Sequence, residues 1–363
     1  MDSLRTPGPT PCPSEVLEAM ARQMINPLGP EIGKVLGEVL DGLKELFQTR
    51  NDVLLFTCSG SGGLEAAVVN TLSPGDKVLS VTIGFFGERF AYFARAHGVR
   101  VIPLSFEWGR AADVDELRKA LDSDPEIKAV LVTHNETSTG VTNDLGALSS
   151  VVKDYDKLLL VDAVSSLGSI DLPVDEWHCD IAITASQKGW MAPPGLAMIS
   201  VSPEAWKAHA GSSMPRAYFD FAYTKECIEK GYLPWTPSIS LLFALSVSLK
   251  MMREEGLAHI VARHAEVGRV AREGVKSLGL SLFGDERHAS NTVTVPKAPR
   301  DVDVDKLLKI LREDYRVVLG AGYQRLAESI FRIGHLGWVN TDDIEGVISA
   351  LKMALPRARG SST

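Results

Sequence analysis

Seven short apolar runs, each followed by a polar or amphipathic stretch, most constrain the fold of this 363-residue chain. Most of these runs are apolar at every position and not at alternate positions, which is typical of strands covered by helices on both faces. We therefore predict a doubly wound α/β domain with a mostly parallel, seven-stranded sheet. The predicted strands span Val53–Thr57, Lys77–Val81, Arg100–Leu104, Ala129–Thr133, Leu158–Asp162, Asp180–Thr184 and Leu196–Val201.

Six stretches before or between these strands repeat apolar residues at helical spacing. The stretch from Pro30 to Phe47, for example, places six aliphatic residues on one stripe. Helices between strands are what a parallel sheet needs to start each strand from the same edge. The predicted helices span Ser14–Gln23, Pro30–Phe47, Leu64–Leu72, Phe86–Ala96, Val114–Leu121 and Leu145–Tyr155.

The pattern changes after the segment Tyr232–Pro237, where two long helices precede shorter strands and helices. This change predicts a smaller α+β domain at residues 239–363 beside a large α/β domain at residues 21–238. Residues 1–20, with the Pro-rich run Pro7–Pro13, are predicted as an extended arm. The predicted small-domain elements are Ile239–Glu254, Ala258–Leu278, Ser281–Phe283, Thr292–Val295, Val304–Asp314, Val317–Leu319, Ile330–Ile333 and Asp342–Ala354.

Charge and cysteine content argue against several classes of protein. The formal net charge of −8 gives no electrostatic basis for binding nucleic acid or an anionic membrane. No apolar run is long enough to cross a bilayer, and the N-terminus lacks the apolar core of a signal peptide. The four cysteines are scattered, so we expect reduced thiols in a cytoplasmic protein and no metal site. They are Cys12, Cys58, Cys179 and Cys227.

A glycine-rich loop, Ser59–Glu65, joins the first predicted sheet strand to the next helix. Small residues at such a turn leave backbone N–H groups free to surround a phosphate, and the helix N-terminus adds positive potential. The loop lacks the third glycine of a dinucleotide fingerprint, which Glu65 replaces, and the Lys-Ser/Thr of a Walker A loop. It therefore favours one isolated phosphate, with an ordinary tight turn as the alternative.

Two charged residues follow neighbouring apolar runs. Asp162 ends the run that begins at Leu158, and Lys188 follows the run Asp180–Ile183. Because α/β proteins bind ligands at the carboxyl edge of the sheet, we expect both side chains in one crevice. A lysine there can form a Schiff base with a carbonyl, and an acid can keep a pyridine nitrogen protonated. The alternatives are a surface lysine and a helix cap.

Four more residues are candidates for contacting a flat ligand or the carboxylate of a substrate. Thr137, in the polar segment His134–Gly140, has the hydroxyl best placed to hydrogen-bond a ring hydroxyl or a substrate. Phe85 and Phe86 follow another strand and can stack on a ring, with core packing as the alternative. Arg332 lies among apolar residues, where an unpaired charge is costly. A clamp on a substrate carboxylate explains this arginine, and an internal salt bridge is the alternative.

In this order and spacing, the glycine loop, Asp162, Ser186–Gly189 and Phe331–Gly334 make the chain resemble the class V pyridoxal-phosphate aminotransferases. Within that family it is most similar to the alanine/serine–glyoxylate aminotransferases. The resemblance extends from Pro7 to Gly337. It implies a fold-type I homodimer whose active sites are shared between subunits, with pyridoxal 5′-phosphate as the cofactor.

The resemblance also implies roles for the residues that match the family's motifs. Lys188 would bond covalently to the cofactor, Asp162 would pair with its ring nitrogen, and Arg332 would bind the substrate carboxylate. The other implied cofactor contacts are Ser61, Gly62, Gly63 and Gln187 at the phosphate, Phe86 and Val164 on the ring faces, Thr137 near the ring hydroxyl, and Tyr232 and Thr236 from the partner subunit.

The implied reaction is a ping-pong transamination from alanine or serine to a 2-oxo acid such as glyoxylate or pyruvate, with Lys188 moving the α-proton. The departures Asn26-Pro27 and Glu328-Ser329 lie near the substrate side and leave donor and acceptor open. Rival functions are a phosphonate or ureidoglycine aminotransferase, a lyase or cysteine desulfurase, and a non-catalytic partner subunit. Desulfurases typically place His where this chain has Gln187, and Cys227 is the one plausible loop cysteine for that chemistry.

Overall fold

Strands and helices alternate along most of the chain in a computed structural model that describes residues 2–359. The strands are β1 (Ser3–Arg5), β2 (Asp52–Phe56), β3 (Lys77–Thr82), β4 (Arg100–Ser105), β5 (Ile127–Thr133), β6 (Asn135–Glu136), β7 (Val141–Thr142), β8 (Leu158–Asp162), β9 (Ile181–Ala185), β10 (Ala197–Val201), β11 (Val293–Thr294), β12 (Val317–Ala321) and β13 (Phe331–Gly334). The helices are α1 (Ser14–Ala19), α2 (Pro30–Phe47), α3 (Gly60–Thr71), α4 (Phe85–Ala96), α5 (Val114–Ser123), α6 (Leu145–Asp154), α7 (Pro203–Gly211), α8 (Phe221–Glu229), α9 (Ile239–Glu255), α10 (Leu257–Ser277), α11 (Val304–Tyr315) and α12 (Thr341–Ala358).

The central sheet has seven strands in the order β2-β10-β9-β8-β5-β3-β4. All neighbouring pairs are parallel except those of β10, which runs antiparallel to both β2 and β9. The predicted seven-stranded, mostly parallel sheet is confirmed. Because six strands point the same way, the loops that follow β2, β3, β5, β8 and β9 all leave the sheet at one edge.

Two hydrophobic cores cover the two faces of this sheet. Successive residues of β2 show why its run is apolar throughout, since Leu54 packs in one core and Leu55 in the other. Helices α3 and α4 supply Leu64 and Phe90 to the first core, and α2 supplies Leu36 to the second. Each such fully buried side chain contributes about 2 kcal/mol.

The second sheet has four strands in the order β1-β12-β13-β11. Strand β1 comes from the N-terminal arm and pairs in parallel with β12, a pairing that the sequence pattern did not predict. In place of the predicted strand Ser281–Phe283 there is a single bridge between Leu282 and Pro296. Helices α10, α11 and α12 pack together beside this sheet.

Helix α9 packs on α1 and α2, so its apolar residues extend the core of the large sheet. The domain boundary near residue 238 stays a prediction, and residues 360–363 of the predicted small domain lie outside the described residues. No helix within residues 2–359 combines the length and the apolar character needed to cross a membrane.

Candidate active site

The loops at the carboxyl edge of the central sheet enclose a cavity of about 320 Å³. Residues from distant parts of the chain line it, among them Gly8 and Pro9 of the N-terminal arm. The cavity brings together seven of the residues predicted from the sequence. These are Ser61, Phe86, Thr137, Asp162, Val164, Gln187 and Lys188.

Lys188 lies in the connection between β9 and β10, which is fixed from both sides. The hydroxyl of Ser186 donates to the carbonyl of Pro193 at 2.6 Å, and the indole N–H of Trp190 donates to Thr184 at 2.8 Å. Trp190 is completely buried and stacks on Phe47, so the backbone around the lysine is anchored in the core. This anchoring explains why Gly189-Trp190 follows the lysine in the sequence.

The amine of Lys188 points into the cavity and donates to the carbonyl of Pro7. Burial and, to a lesser extent, the nearby charge of Arg332 lower the pKa of this lysine to about 8, although the charge of Asp162 opposes the shift. A lower pKa leaves a larger fraction of the amine uncharged near neutral pH. The uncharged amine is the form that attacks a carbonyl or accepts a proton.

Asp162 ends β8 beside this lysine connection and is buried. Its Oδ1 accepts a hydrogen bond from the backbone N–H of Val164 at 3.0 Å. Burial raises its pKa to about 6, although the Val164 hydrogen bond and the charge of Lys188 oppose the shift. Residues 163–167 form turns, so the helix that the capping alternative requires is absent from this stretch.

The glycine loop forms the first turn of α3. The hydroxyl of Ser59 caps the helix by accepting from the N–H of Gly62 at 3.4 Å. A Cβ at Gly62 would lie 2.9 Å from the sulfur of Cys58, and one at Gly63 would lie 2.7 Å from Ile183. These two glycines therefore allow close packing of the helix. Ser59, Gly60 and Ser61 are the loop residues that face the cavity.

The N-terminus of α3 gives the cavity the character of an anion site, because its first N–H groups and its dipole point outward there. Gln187 lines the same space, and its side-chain oxygen is buried with no hydrogen-bond partner among residues 2–359. That oxygen accepts hydrogen bonds and so cannot bond a phosphate oxygen, whereas the side-chain NH2 group of Gln187 can donate to one. The loop and Gln187 together fit one phosphate group.

Aromatic residues form one wall of the cavity. Phe86, in the first turn of α4, meets Phe85 at 5.4 Å and Tyr323 at 5.6 Å, both edge-on. Tyr323 comes from the connection between β12 and β13 and lines the cavity. Arg89, one turn along α4, places its guanidinium 4.7 Å from the Phe85 ring centroid and 5.0 Å from that of Phe86. The sequence predicted only Phe86 of these cavity residues.

Glu136, in β6, makes hydrogen bonds to the start of α4 beside this wall and is completely buried. Its carboxylate accepts from the N–H groups of Phe86 at 3.0 Å and Gly87 at 3.1 Å. It also accepts from the N–H of Ser138 at 3.1 Å and from its hydroxyl at 2.6 Å. Burial raises the pKa of Glu136 to about 7 despite these hydrogen bonds. The adjacent Thr137 is thereby held at the cavity wall.

Arg332 lies in β13 behind Tyr323. Its Nε donates to the carbonyl of Ala321 at 2.7 Å, its Nη1 donates to the carbonyl of Thr137 at 3.5 Å, and its Cζ is 4.3 Å from the Tyr323 ring centroid. Burial lowers the pKa of the guanidinium. Within residues 2–359 no carboxylate forms an ion pair with it, so the internal salt bridge considered above is not found there. The arginine does not itself line the cavity, but it contacts Tyr323, which does, and the nearby Glu136 and Tyr323 partly offset the effect of burial on its pKa.

Two predicted residues lie apart from the cavity of this chain. Tyr232 follows α8, where its N–H donates to the carbonyl of Cys227 at 3.1 Å, and Thr236 is exposed. Both were expected to serve the site of a partner subunit, and that role stays a prediction. Among the described residues, no three His, Cys, Asp or Glu side chains group as metal ligands would.

The N-terminal arm is the part of the site that sequence patterns signalled least. Gly8 has a φ of +127°, which favours glycine, and a side chain there would overlap the amine of Lys188. The Thr10 hydroxyl donates to the carbonyl of Lys188 at 3.1 Å. The Gly8-Pro9 pair therefore marks a close approach of backbone to the lysine, which is the one local signal that could have placed the arm at the site.

Comparisons with known proteins agree with this geometry. The family model described as Aminotransferase class-V matches residues 4–337. The chain is 41% identical over 355 residues to the soluble hydrogenase 42 kDa subunit of Anabaena cylindrica, covering 97% of this chain and 92% of that one. It is 39% identical over 363 residues to the serine–glyoxylate aminotransferase of Methylorubrum extorquens, covering 97% and 90%. The crystal structure of an alanine–glyoxylate aminotransferase from Nostoc sp. matches with a TM-score of 0.94 at 29% identity, covering 98% and 95%.

Proposed function

The chain belongs to the class-V aminotransferase family, and from this premise we propose that it is a pyridoxal-phosphate-dependent aminotransferase. It moves the amino group of a small amino acid, alanine or serine, to a 2-oxo acid such as glyoxylate or pyruvate by a ping-pong mechanism. The observation that carries the proposal is the meeting of Lys188 and Asp162 in one cavity, with Arg332 close enough for its charge to act on Lys188.

The cavity residues fit the cofactor that this family typically uses. The α3 N-terminus, Ser61 and the side-chain NH2 group of Gln187 would hold the phosphate. Phe86 and Val164 would contact the ring, and Thr137 would lie near the ring hydroxyl. When bound, pyridoxal phosphate supplies an aldehyde that condenses with amines and a ring that delocalises the electrons released when the α-proton leaves.

The chain's own residues then have separate tasks. The amine of Lys188 would accept the proton from the substrate Cα as general base and, as general acid, return it to the carbon of the cofactor's aldehyde group. Asp162 holds a proton on the ring nitrogen, where its buried position excludes water. Arg332, whose charge acts on Lys188, would bind the substrate carboxylate. The Gly8-Pro9 backbone closes the cavity over the lysine.

Arg89 favours a second candidate donor, aspartate. The sequence predicted one carboxylate clamp, Arg332, and the donors alanine and serine, which carry one carboxylate each. In the structure, however, Arg89 also lines the cavity, and no carboxylate within residues 2–359 forms an ion pair with it. A donor with a second carboxylate would find a cation on that wall. Comparing kcat/KM for alanine, serine and aspartate decides between the candidates.

The rival functions lose support at specific residues. Cys227, the candidate thiol for desulfurase chemistry, lies inside α8 with 1% of its surface exposed, so it is no mobile loop nucleophile. A non-catalytic partner subunit would have little reason to keep Lys188, Asp162 and Arg332 together. Phosphonate and ureidoglycine donors share the same cofactor residues, and the substrate assay must include them. The shared-site homodimer and the cytoplasmic location remain part of this proposal.

The experiment is spectroscopic and chemical. Purified protein mixed with pyridoxal phosphate should absorb visible light, and borohydride reduction should fix the cofactor to the peptide that contains Lys188. Lys207 on α7 is exposed and serves as the internal control, because its peptide should stay unmodified. Protein that takes up no cofactor, or labels both peptides equally, would overturn the proposal.

A further inference from the structure

The connection between β12 and β13 places one aromatic side chain, Tyr323, in the cavity wall. The connection is held in position by contacts away from the cavity. Leu326 is buried with Ile330 in a small apolar cluster, and the guanidinium of Arg325 lies 4.2 Å from the Trp108 ring centroid. The N–H of Leu326 donates to the carbonyl of Tyr323 at 2.9 Å. The backbone that carries the tyrosine is therefore anchored.

The Tyr323 ring is packed on both faces. Phe85 stacks on it with a centroid distance of 4.5 Å and an interplanar angle of 13°. The guanidinium of Arg332 lies 4.3 Å from the ring centroid. Two groups that each stack within 4.5 Å of one ring centroid cannot share a face, so Phe85 and the guanidinium occupy opposite faces. Swinging the ring away would lose both contacts, so Tyr323 is a fixed wall.

This packing places the ring where a substrate must pass. On the proposed function, a donor's carboxylate reaches Arg332 while its amino group reaches the Lys188 side of the cavity. Tyr323 lies against Arg332 and also lines the cavity, so the donor's side chain must share the space that the ring leaves. Phe86 and the Gly8-Pro9 backbone border the remaining space.

We infer that Tyr323 determines donor specificity, because its ring restricts the donor to a small side chain and holds the guanidinium of Arg332 against the substrate carboxylate. The inference rests on the proposed function and goes beyond it by assigning the size limit to one residue. Donors with one or two side-chain carbons fit, and branched or aromatic donors meet the ring. The contact with the ring and the hydrogen bonds to the carbonyls of Ala321 and Thr137 fix the position of the guanidinium.

The test compares Tyr323→Ala, Tyr323→Phe and the control Gln324→Ala, which changes an exposed neighbour outside the cavity lining. Each protein is assayed with alanine, leucine and phenylalanine as donors. Tyr323→Ala should raise the ratio of kcat/KM for leucine or phenylalanine to that for alanine by about tenfold or more, because a deleted wall admits extra carbons. It should also raise KM for alanine by about fivefold through loss of the cation–π contact.

Tyr323→Phe keeps the stacked ring, so it should restore the wild-type donor ratio and KM to within about threefold. Gln324→Ala should match the wild type in both. An unchanged donor ratio in Tyr323→Ala, with the variant folded by thermal denaturation and active on alanine, overturns the inference. Wild-type protein that transaminates no donor in the panel instead removes the proposed function, so the two failures are distinguishable.

Discussion

One lysine and one aspartate lie near each end of β9. The two pairs of residues differ in the hydrogen bonds and ion pairs that they make. At its amino end, Asp180 accepts from the N–H of Leu159 at 2.7 Å and from the Ser202 hydroxyl at 3.0 Å, and it pairs with Lys153. At its carboxyl end, Asp162 accepts one backbone hydrogen bond, and Lys188 donates to a backbone carbonyl.

The difference separates a structural use of buried charge from a chemical one. A buried pair with all its hydrogen bonds made has little to offer a ligand, and removing either partner is destabilising. Charges that share a cavity without pairing keep shifted pKa values, which is what proton transfer and covalent bonding to a carbonyl require. The same residue types therefore serve stability at one edge of the sheet and chemistry at the other.

The two lysines provide the largest expected contrast. Lys188→Ala should lower kcat by about 10³-fold or more, because it removes the proposed general base and covalent attachment point. Lys153→Ala should keep turnover but lower the free energy of unfolding by about 3 kcal/mol, since it leaves Asp180 buried without its partner. Steady-state kinetics and urea denaturation of both variants provide the comparison. Equal loss of activity in both would show that the two sites do not differ in this way.

The two aspartates should repeat the contrast with a smaller effect on rate. Asp162→Asn should lower kcat by about 10²-fold, a loss typical of removing one electrostatic stabiliser of a transition state. It should not lower the free energy of unfolding at pH 8, because burial already disfavours the charged carboxylate. Asp180→Asn should do the reverse. Stopped-flow rates and urea denaturation at pH 8 test the pair, and a destabilised but fully active Asp162→Asn protein would contradict the assignment.

The effect expected at Glu136 is on the free energy of unfolding, and it has a defined pH dependence. Its pKa is about 7 in the folded protein, against an ordinary value of 4.5, so the folded state binds more protons between those pH values. Stability should therefore fall as pH rises from 4.5 to 7, by on the order of 3 kcal/mol from this group. Glu136→Gln should lose that slope, measured by urea denaturation at several pH values. Glu88→Gln, at an exposed position on α4, should keep it.

The sheet was predictable because its signal is local. Each strand of the large sheet is a short apolar run, and each of the seven strands predicted for that sheet overlaps an observed one. Asp162 and Lys188 could be placed for the same reason, since each follows such a run. Strand β1 could not be predicted, because it has three residues and its partner β12 lies at the other end of the chain.

The cavity wall was less predictable, because its residues acquire their roles from tertiary contacts. Tyr323 and Arg89 lie in segments with ordinary loop and helix patterns, and only the packing of α4 against the β12–β13 connection brings them to the cavity. Glu136 lies in a polar segment, and nothing in the sequence indicates that its carboxylate accepts hydrogen bonds from the first turn of α4. No spacing rule connects such positions.

The pairing of Ser3 with Val317 has a consequence for how the protein is made. On the ribosome, the first strand emerges long before its partner, and the arm residues that close the cavity cannot be held in place until β12 has been synthesised. Domains usually fold from the N-terminus as they emerge. Here the central sheet, which carries Lys188, can fold early. The finished active site requires the strands at both ends of the chain. A truncated product would therefore expose the amine without the walls that select its substrate.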